Sequence, residues 1–247
     1  MRASGKLVAD ILQELKPLVV PGVSLLELDR KAEELTLKGG AKPAFKGYSG
    51  FRHSLCLSVN EQVVHGVPSE RRLKEGEIIG VDFGVVMDGY YGDSAVTLPV
   101  GNVSPAAKQL MRCTKDALYA AVEQCRPGNS LKDLAAAVER TVKPFGYGIV
   151  RDFVGHGIGQ KLHEEPQVPN YVAGASNLKL RPGMTIAIEP MINEGSAGVK
   201  VLGDKWTCVT EDGRLSAHFE HTILITEDGH EILTDWAGQT YGSWLEG

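Results

Sequence analysis

Apolar residues fall at helical spacing in four separate stretches of the chain. Val8, Ile11, Leu12, Leu15 and Leu18 predict an amphipathic helix that Pro21-Gly22 ends. Ser24 opens a second helix, with Glu27 three residues on completing a capping box. Leu25, Leu28, Ala32 and Leu35 form its buried stripe, and Gly39-Gly40 stop it. The same signals return later. Ser104 caps a third helix with Pro105 at its first position and Leu110, Ala117, Leu118, Ala121 and Val122 on its apolar face. Pro127-Gly128 closes it, Ser130 with Asp133 caps a fourth, and Gly146 ends that one.

Between the helices the period changes to two. Ile78–Val86 and Tyr90–Val100 flank Asp88-Gly89, a strong hairpin signal. Thr185–Ile192 and Phe219–Thr226 alternate as strands, and Asp228-Gly229 turns the chain back into Glu231-Ile232-Leu233.

The repetition reaches identities. At an offset of 106 residues, Pro21, Gly22, Ser24, Leu25, Leu28, Glu33 and Gly40 match Pro127, Gly128, Ser130, Leu131, Leu134, Glu139 and Gly146. Pro-Gly-x-Ser-Leu is also a common helix-to-helix junction, but this many matches at one offset favour duplication. The chain therefore reads as two related halves, each a helix pair plus strands, with a site where they meet. No Pro-, Gly- or Ser-rich linker separates them, so they share one core.

Composition narrows the classes. The chain has 247 residues and a net charge of -5, ordinary for a globular protein with a full core. Its acidic balance argues against an extended nucleic-acid footprint. The four cysteines, Cys56, Cys113, Cys125 and Cys208, are too few and too scattered for a disulfide scaffold and form no C-x-x-C pair. Lys6, Asp10, Glu14 and Lys16 interrupt any signal-peptide core, and no stretch approaches the roughly 18 apolar residues of a spanning helix. The expected location is the cytoplasm.

Candidate chemistry gathers on carboxylates. With Asp88-Gly89 as a two-residue turn, Gly84 pairs with Asp93 and Asp82 with Ala95, so Asp82 and Asp93 are diagonal neighbours on one face, about 7 to 8 Å apart at Cα. The alternative is a bulge at Asp93 after Gly92 and a frayed edge at Asp82. Glu189 shares a face with Thr185 and Ala187, and Glu220 with Thr222 and Leu224. A lone carboxylate in apolar strand sequence is costly to bury, so each is paired with Lys or Arg, protonated, or bound to a metal. His156 lies in Gly155-His156-Gly157-Ile158-Gly159, His163 precedes Glu164-Glu165-Pro166, and His65 sits between an apolar strand and a turn. Each is a ligand or catalytic candidate, with a hydrogen-bonded structural role as the alternative. His53, His218, His221 and His230 lack such context, and His221, which alternates away from Glu220 onto the other face, reads as structural. P-loop, nucleophile-elbow and dinucleotide fingerprints are absent. Four carboxylates and one imidazole suit a two-cation oxygen-rich site better than a thiolate zinc site.

The order Asp82, Asp93, His156, Glu189, Glu220, within V-D-F-G, Y-Y-G-D, G-H-G-I-G, I-E-P-M and F-E-H-T, resembles type I methionine aminopeptidases over nearly the whole chain. The resemblance implies an α/β (α+β) pita-bread fold. An antiparallel sheet is covered by two helix pairs, pseudo-two-fold halves span about 1–100 and 101–247, and the metal site lies between them in one catalytic domain. It implies two divalent cations (Co, Mn, Fe(II) or Zn) bridged by Asp93 and Glu220. Asp82 is on the second metal, His156 and Glu189 on the first, and Glu189 serves as proton shuttle. His163 would stabilise the oxyanion and His65 would contact the scissile amide.

By the same resemblance Tyr48, Phe51, Cys56, Leu162 and Trp206 form the methionine pocket. Asn60, Gln62 and Ser216 lie near a monovalent Na+ or K+. Phe45 is bulkier than the small residue some relatives carry, and Gly84 stands where some members carry a threonine near the second metal. The implied activity is removal of the initiator methionine ahead of a small second residue. Its substrates would be the N-termini of nascent polypeptides, with transient ribosome contact, by a monomer that binds neither nucleic acid nor membrane. An Xaa-Pro aminopeptidase-like relative and a non-catalytic pita-bread binding protein are the alternatives.

Overall fold

The computed structural model describes residues 1–235; the expected domain runs on to 247, and 236–247 lie outside the described residues. In the first half, α1 (Arg2–Leu15) and α2 (Leu25–Lys38) precede β1 (Lys42–Pro43), β2 (Leu55–Val59), β3 (Gln62–Val64), β4 (Ile78–Met87) and β5 (Tyr90–Pro99). In the second half, α3 (Pro105–Val122) and α4 (Leu131–Val142) precede β6 (Gly148–Ile149), β7 (Gly155–Gly157), β8 (Glu164–Val168), β9 (Thr185–Ile188) and β10 (Met191–Asn193). β11 (Val199–Val201), β12 (Cys208–Thr210), β13 (Ser216–His218), β14 (Glu220–Ile225) and β15 (His230–Ile232) complete it.

The helix boundaries follow their caps. Ser24 Oγ accepts the Glu27 N–H at 3.2 Å while the Glu27 carboxylate accepts the Ser24 N–H at 2.7 Å. Asp133 accepts the Ser130 N–H at 2.7 Å in the same way. The first helix stops at Leu15, not Leu18, because Pro17 turns Lys16–Leu18 into a 3-10 turn.

The main sheet is antiparallel, in the order β1-β4-β5-β14-β9-β7-β8, with β2 also on β4 and β15 on β14. α1 packs on β4 and β5, and α3 on β9, β10, β13 and β14. A contiguous apolar core takes Val8, Leu28, Leu110, Leu134, Val81 and Ile223 from both halves. The α/β architecture of curled antiparallel sheet and two helix pairs matches the sequence expectation.

The duplication is legible in hydrogen bonds. Gly22 N–H donates to Leu73 O at 2.8 Å, and Gly128 N–H to Leu180 O at 3.2 Å. Isolated bridges join Ser24 to Arg72 and Ser130 to Lys179. Gly76 and Gly183, both at φ 88°, turn the chain into β4 and β9. Asp82 and Glu189 then stand four residues past the starts of these equivalent strands.

One expected strand is broken. Thr185–Ile192 divides at Glu189-Pro190 into β9 and β10, which belong to different sheets. Pro190 has no N–H for the ladder, and its carbonyl accepts Phe219 N–H where the second chain segment also changes sheets. The expected strand Phe219–Thr226 stands as β14, and Phe219 is the crossover residue that precedes it.

Candidate metal centre

The hairpin places the first two carboxylates. Asp88 at φ 50° and Gly89 at φ 80° make the turn, and the register runs unbroken from Ile78↔Pro99 to Met87↔Tyr90, with Asp82 opposite Ala95 and Gly84 opposite Asp93. The bulge alternative fails, and so does the frayed edge, because β2 and β5 flank Asp82 on both sides. β14 lies next, pairing Glu220 with Ala95. β7 pairs His156 with Ala187 on β9, which ends beside Glu189. The five residues thus come from β4, β5, β7, β14 and the end of β9, across the seam between the halves.

They line one cleft together with His65, His163, Tyr48, Phe51, Cys56, Leu162, Trp206 and Phe45. Asp93, His156 and Glu220 are buried, and each offers an atom within 4.8 Å of the others. Asp82 Oδ1, Asp93 Oδ1 and Glu220 Oε1 are buried without hydrogen-bond partners. Among the described residues no Lys or Arg lines the cleft, so the salt-bridge alternative for Glu189 and Glu220 is not realised. Glu189 instead faces imidazoles, with Oε1 3.5 Å from His156 Nε2 and Oε2 3.7 Å from His218 Nε2.

Burial pushes all four carboxyls up. Asp93 rises to about 7, with the Ser94 N–H opposing the shift. Asp82 is driven well above its usual range by burial and by Asp93, and Glu189 by burial, Asp82 and Asp93. Glu220 follows for the same reasons. Such a concentration of like charge needs protons or cations. An oxygen-dominated set with one imidazole suits divalent cations, and the orphaned oxygens fit them. His156 Nδ1 lies 2.9 Å from Gly157 O, which assigns the proton to Nδ1 and turns the Nε2 lone pair to the cluster. Burial lowers His156 to about 4.

His65 and His163 stand at the mouth. His65, at φ 58°, meets Phe153 edge-on, with ring centroids 5.2 Å apart, and burial and His163 lower it to about 4. His163 Nδ1 lies 2.7 Å from Tyr48 Oη. Phe51, Cys56 and Leu162 are buried in an apolar cluster against which Trp206 packs. Burial and the neighbouring Asp82 and Asp93 charges raise the Cys56 thiol, so it acts as an apolar wall.

Asn60, Gln62 and Ser216 do not line the cleft. Their side-chain oxygens are engaged: Asn60 Oδ1 accepts Ile78 N–H, Gln62 Oε1 accepts Val59 N–H, and Ser216 Oγ donates to Asn193 Oδ1.

Sequence reasoning passed over His218, a buried residue beside Glu189. Its place two residues before Glu220 was the available signal. His221 is structural as expected, held between Tyr119 Oη and Thr234 Oγ1.

The family model for metallopeptidase family M24 matches residues 1–227. Methionine aminopeptidase 1 of Bacillus subtilis is 50% identical over 234 residues, covering 95% of this chain and 94% of that protein. The methionine aminopeptidase of Clostridium perfringens is 48% identical over 234 residues, with the same coverage. The structure of the Thermotoga maritima methionine aminopeptidase superposes with a TM-score of 0.93 at 47% identity, over 95% of both chains. A prolidase from Pyrococcus furiosus shares the fold at a TM-score of 0.76 and 25% identity, this chain covering 62% of it. On these findings the chain belongs to metallopeptidase family M24.

Proposed function

We infer that this chain removes the N-terminal methionine of polypeptides by metal-dependent hydrolysis, as one catalytic unit, when the second residue is small. The carrying observation is a cluster of buried, partnerless carboxylate oxygens opening directly onto an apolar slot. Phe51, Cys56, Leu162 and Trp206 would receive the methionine thioether. Tyr48 belongs to the wall of that slot and also engages His163.

Asp82, Asp93, His156, Glu189 and Glu220 would hold two divalent cations, Co, Mn, Fe(II) or Zn. Cations in such a site supply a water activated at neutral pH and polarise the substrate carbonyl. Glu189 would take the proton from the attacking water and pass it to the leaving amine. His163 donates to the developing oxyanion, and neutral His65 contacts the scissile amide. The acidic end of the cleft would hold the free α-amine and so restrict cleavage to N-termini. Proposed partners are nascent chains, met by a cytoplasmic monomer during transient ribosome contact, and a Na+ or K+ near Asn60, Gln62 and Ser216. No described helix is long and apolar enough to cross a membrane.

The test is release of methionine from Met-Ala-Ser by metal-reconstituted protein, beside Met-Pro and Xaa-Pro peptides and with Glu189→Gln as control. Metal-dependent release that falls at least a hundredfold in the control supports the reading. Release only ahead of proline moves the chain to the prolidase-like activities. Metal binding without any turnover makes it a non-catalytic member of the fold.

A further inference from the structure

We propose that His218 is a positioning residue for Glu189, presenting its Nε2–H to carboxylate oxygen Oε2 so that Oε1 is left to face His156 and the cluster. The proposal deepens the functional reading above and rests on Glu189 being the proton carrier.

Three observations carry it. First, the backbone that carries the side chain is fixed. The His218 main chain is clamped from both sides by one hydroxyl: Thr97 Oγ1 donates to His218 O at 2.8 Å and accepts His218 N–H at 2.8 Å. β13 also pairs His218 with Met191 on β10. Second, Nε2 is buried and has no hydrogen-bond partner, yet it stands 3.7 Å from Glu189 Oε2. That separation is a few tenths of an ångström beyond a hydrogen bond, and catalytic contacts are commonly long until the site is loaded. A lone pair on Nε2 would face the lone pairs of Oε2, so the network assigns the proton to Nε2. His156 has the opposite arrangement, its Nδ1 engaged by Gly157 O and its Nε2 lone pair turned to Oε1. Glu189 is thus flanked by one imidazole that can share a cation with it and one placed to donate to it.

Third, the duplication puts His218 where the first half has a carboxylate of the cluster. Asp93 on β5 is clamped by Thr222 as His218 is by Thr97. Thr222 Oγ1 donates to Asp93 O at 2.8 Å and accepts Asp93 N–H at 3.1 Å. The spacing from Asp93 to His218 equals that from Thr97 to Thr222. The fold therefore aims both positions at the seam, and the second half fills its copy with a donor.

The experiment compares the full-length protein with His218→Met, which keeps bulk without an N–H, and His218→Gln, which restores a donor. Each is stripped of metal, titrated with Co2+ while the visible d–d spectrum is recorded, and assayed on Met-Ala-Ser. Expected for His218→Met are a kcat lower by about 10- to 100-fold with KM within threefold, and an altered Co2+ spectrum at the first equivalent. His218→Gln should return kcat to within about threefold and restore the spectrum. A His218→Met protein with wild-type kcat and spectrum overturns the proposal. So does a His218→Gln protein as impaired as His218→Met, because the role would then be packing. If the wild type releases no methionine, the functional reading falls, and the Co2+ spectra still decide whether His218 orders the Glu189 ligand.

Discussion

Tyr48 places its hydroxyl 2.7 Å from Nδ1 of His163, while the His163 ring sits edge-on to His156 with centroids 4.3 Å apart. A phenol that donates to Nδ1 leaves Nε2 as the protonated nitrogen of His163, the form an oxyanion requires. Tyr48→Phe keeps the ring and removes only that contact. The expected outcome is a loss in kcat/KM on Met-Ala-Ser of roughly tenfold, about 1.4 kcal/mol, with metal affinity unchanged. Wild-type kinetics in this variant would detach Tyr48 from His163.

Removing a carboxylate should separate stability from function. Glu220 is buried, one of its oxygens is orphaned, and its neighbours Asp93, Glu189 and Asp82 carry the same charge. Glu220→Gln therefore relieves repulsion and desolvation in the metal-free protein while deleting a candidate ligand. The metal-free Tm at pH 8 should rise, and the Tm increment given by Mn2+ should vanish along with activity. A variant less stable than the wild type without metal would show that the cluster is not a burden on the empty fold.

The same repulsion sets a pH dependence. Asp93 is raised to about 7, and burial with the neighbouring carboxylates also lifts Asp82, Glu189 and Glu220 well above the ordinary carboxylate range. Between pH 6.5 and 8.5 the folded state therefore holds more protons than the unfolded state, so the stability of metal-free protein falls as pH rises. The buried histidines, lowered to about 3 to 4, are neutral in the folded state, so they oppose the trend toward pH 6.5, where unfolded histidine binds protons, and leave it unopposed toward pH 8.5. Divalent cations require the ionised carboxylates, so their affinity rises over the same interval. Thermal melts with and without Mn2+ should diverge steadily from pH 6.5 to 8.5. Parallel curves would contradict the origin assigned to the shifts.

Much of this site was legible in the chain. Period-two patterning and Asp88-Gly89 gave the hairpin register that brings Asp82 and Asp93 to one face, and the capping boxes marked the repeat. What the pattern did not carry is the change of sheet at Glu189-Pro190 and at Phe219. A local period describes one strand face and is silent on which sheet the strand joins. His218 was missed for that reason, since its approach to Glu189 depends on two crossovers meeting in space. The Tyr48–His163 contact was likewise out of reach, because 115 residues separate its partners.

Phe45 and Gly84, two separate departures when read along the chain, are one packing solution in space. A Cβ built on Gly84 would stand 3.0 Å from Phe45 Cε1, 3.1 Å from Ala44 Cβ and 3.1 Å from Asp93 Oδ1. The Phe45 ring therefore occupies the space that a larger residue at position 84 would need, and that residue would press on a candidate ligand oxygen. Gly84→Ala alone should shift Asp93 and cost about tenfold in Mn2+ affinity by calorimetry, with activity falling in parallel. Phe45→Ala opens the space, so the double variant should recover most of that affinity. The expected coupling between the two positions is about 1 kcal/mol, above what independent sites show. Additive losses would mean that Phe45 shapes only the outer methionine pocket and that Asp93 is held independently of it.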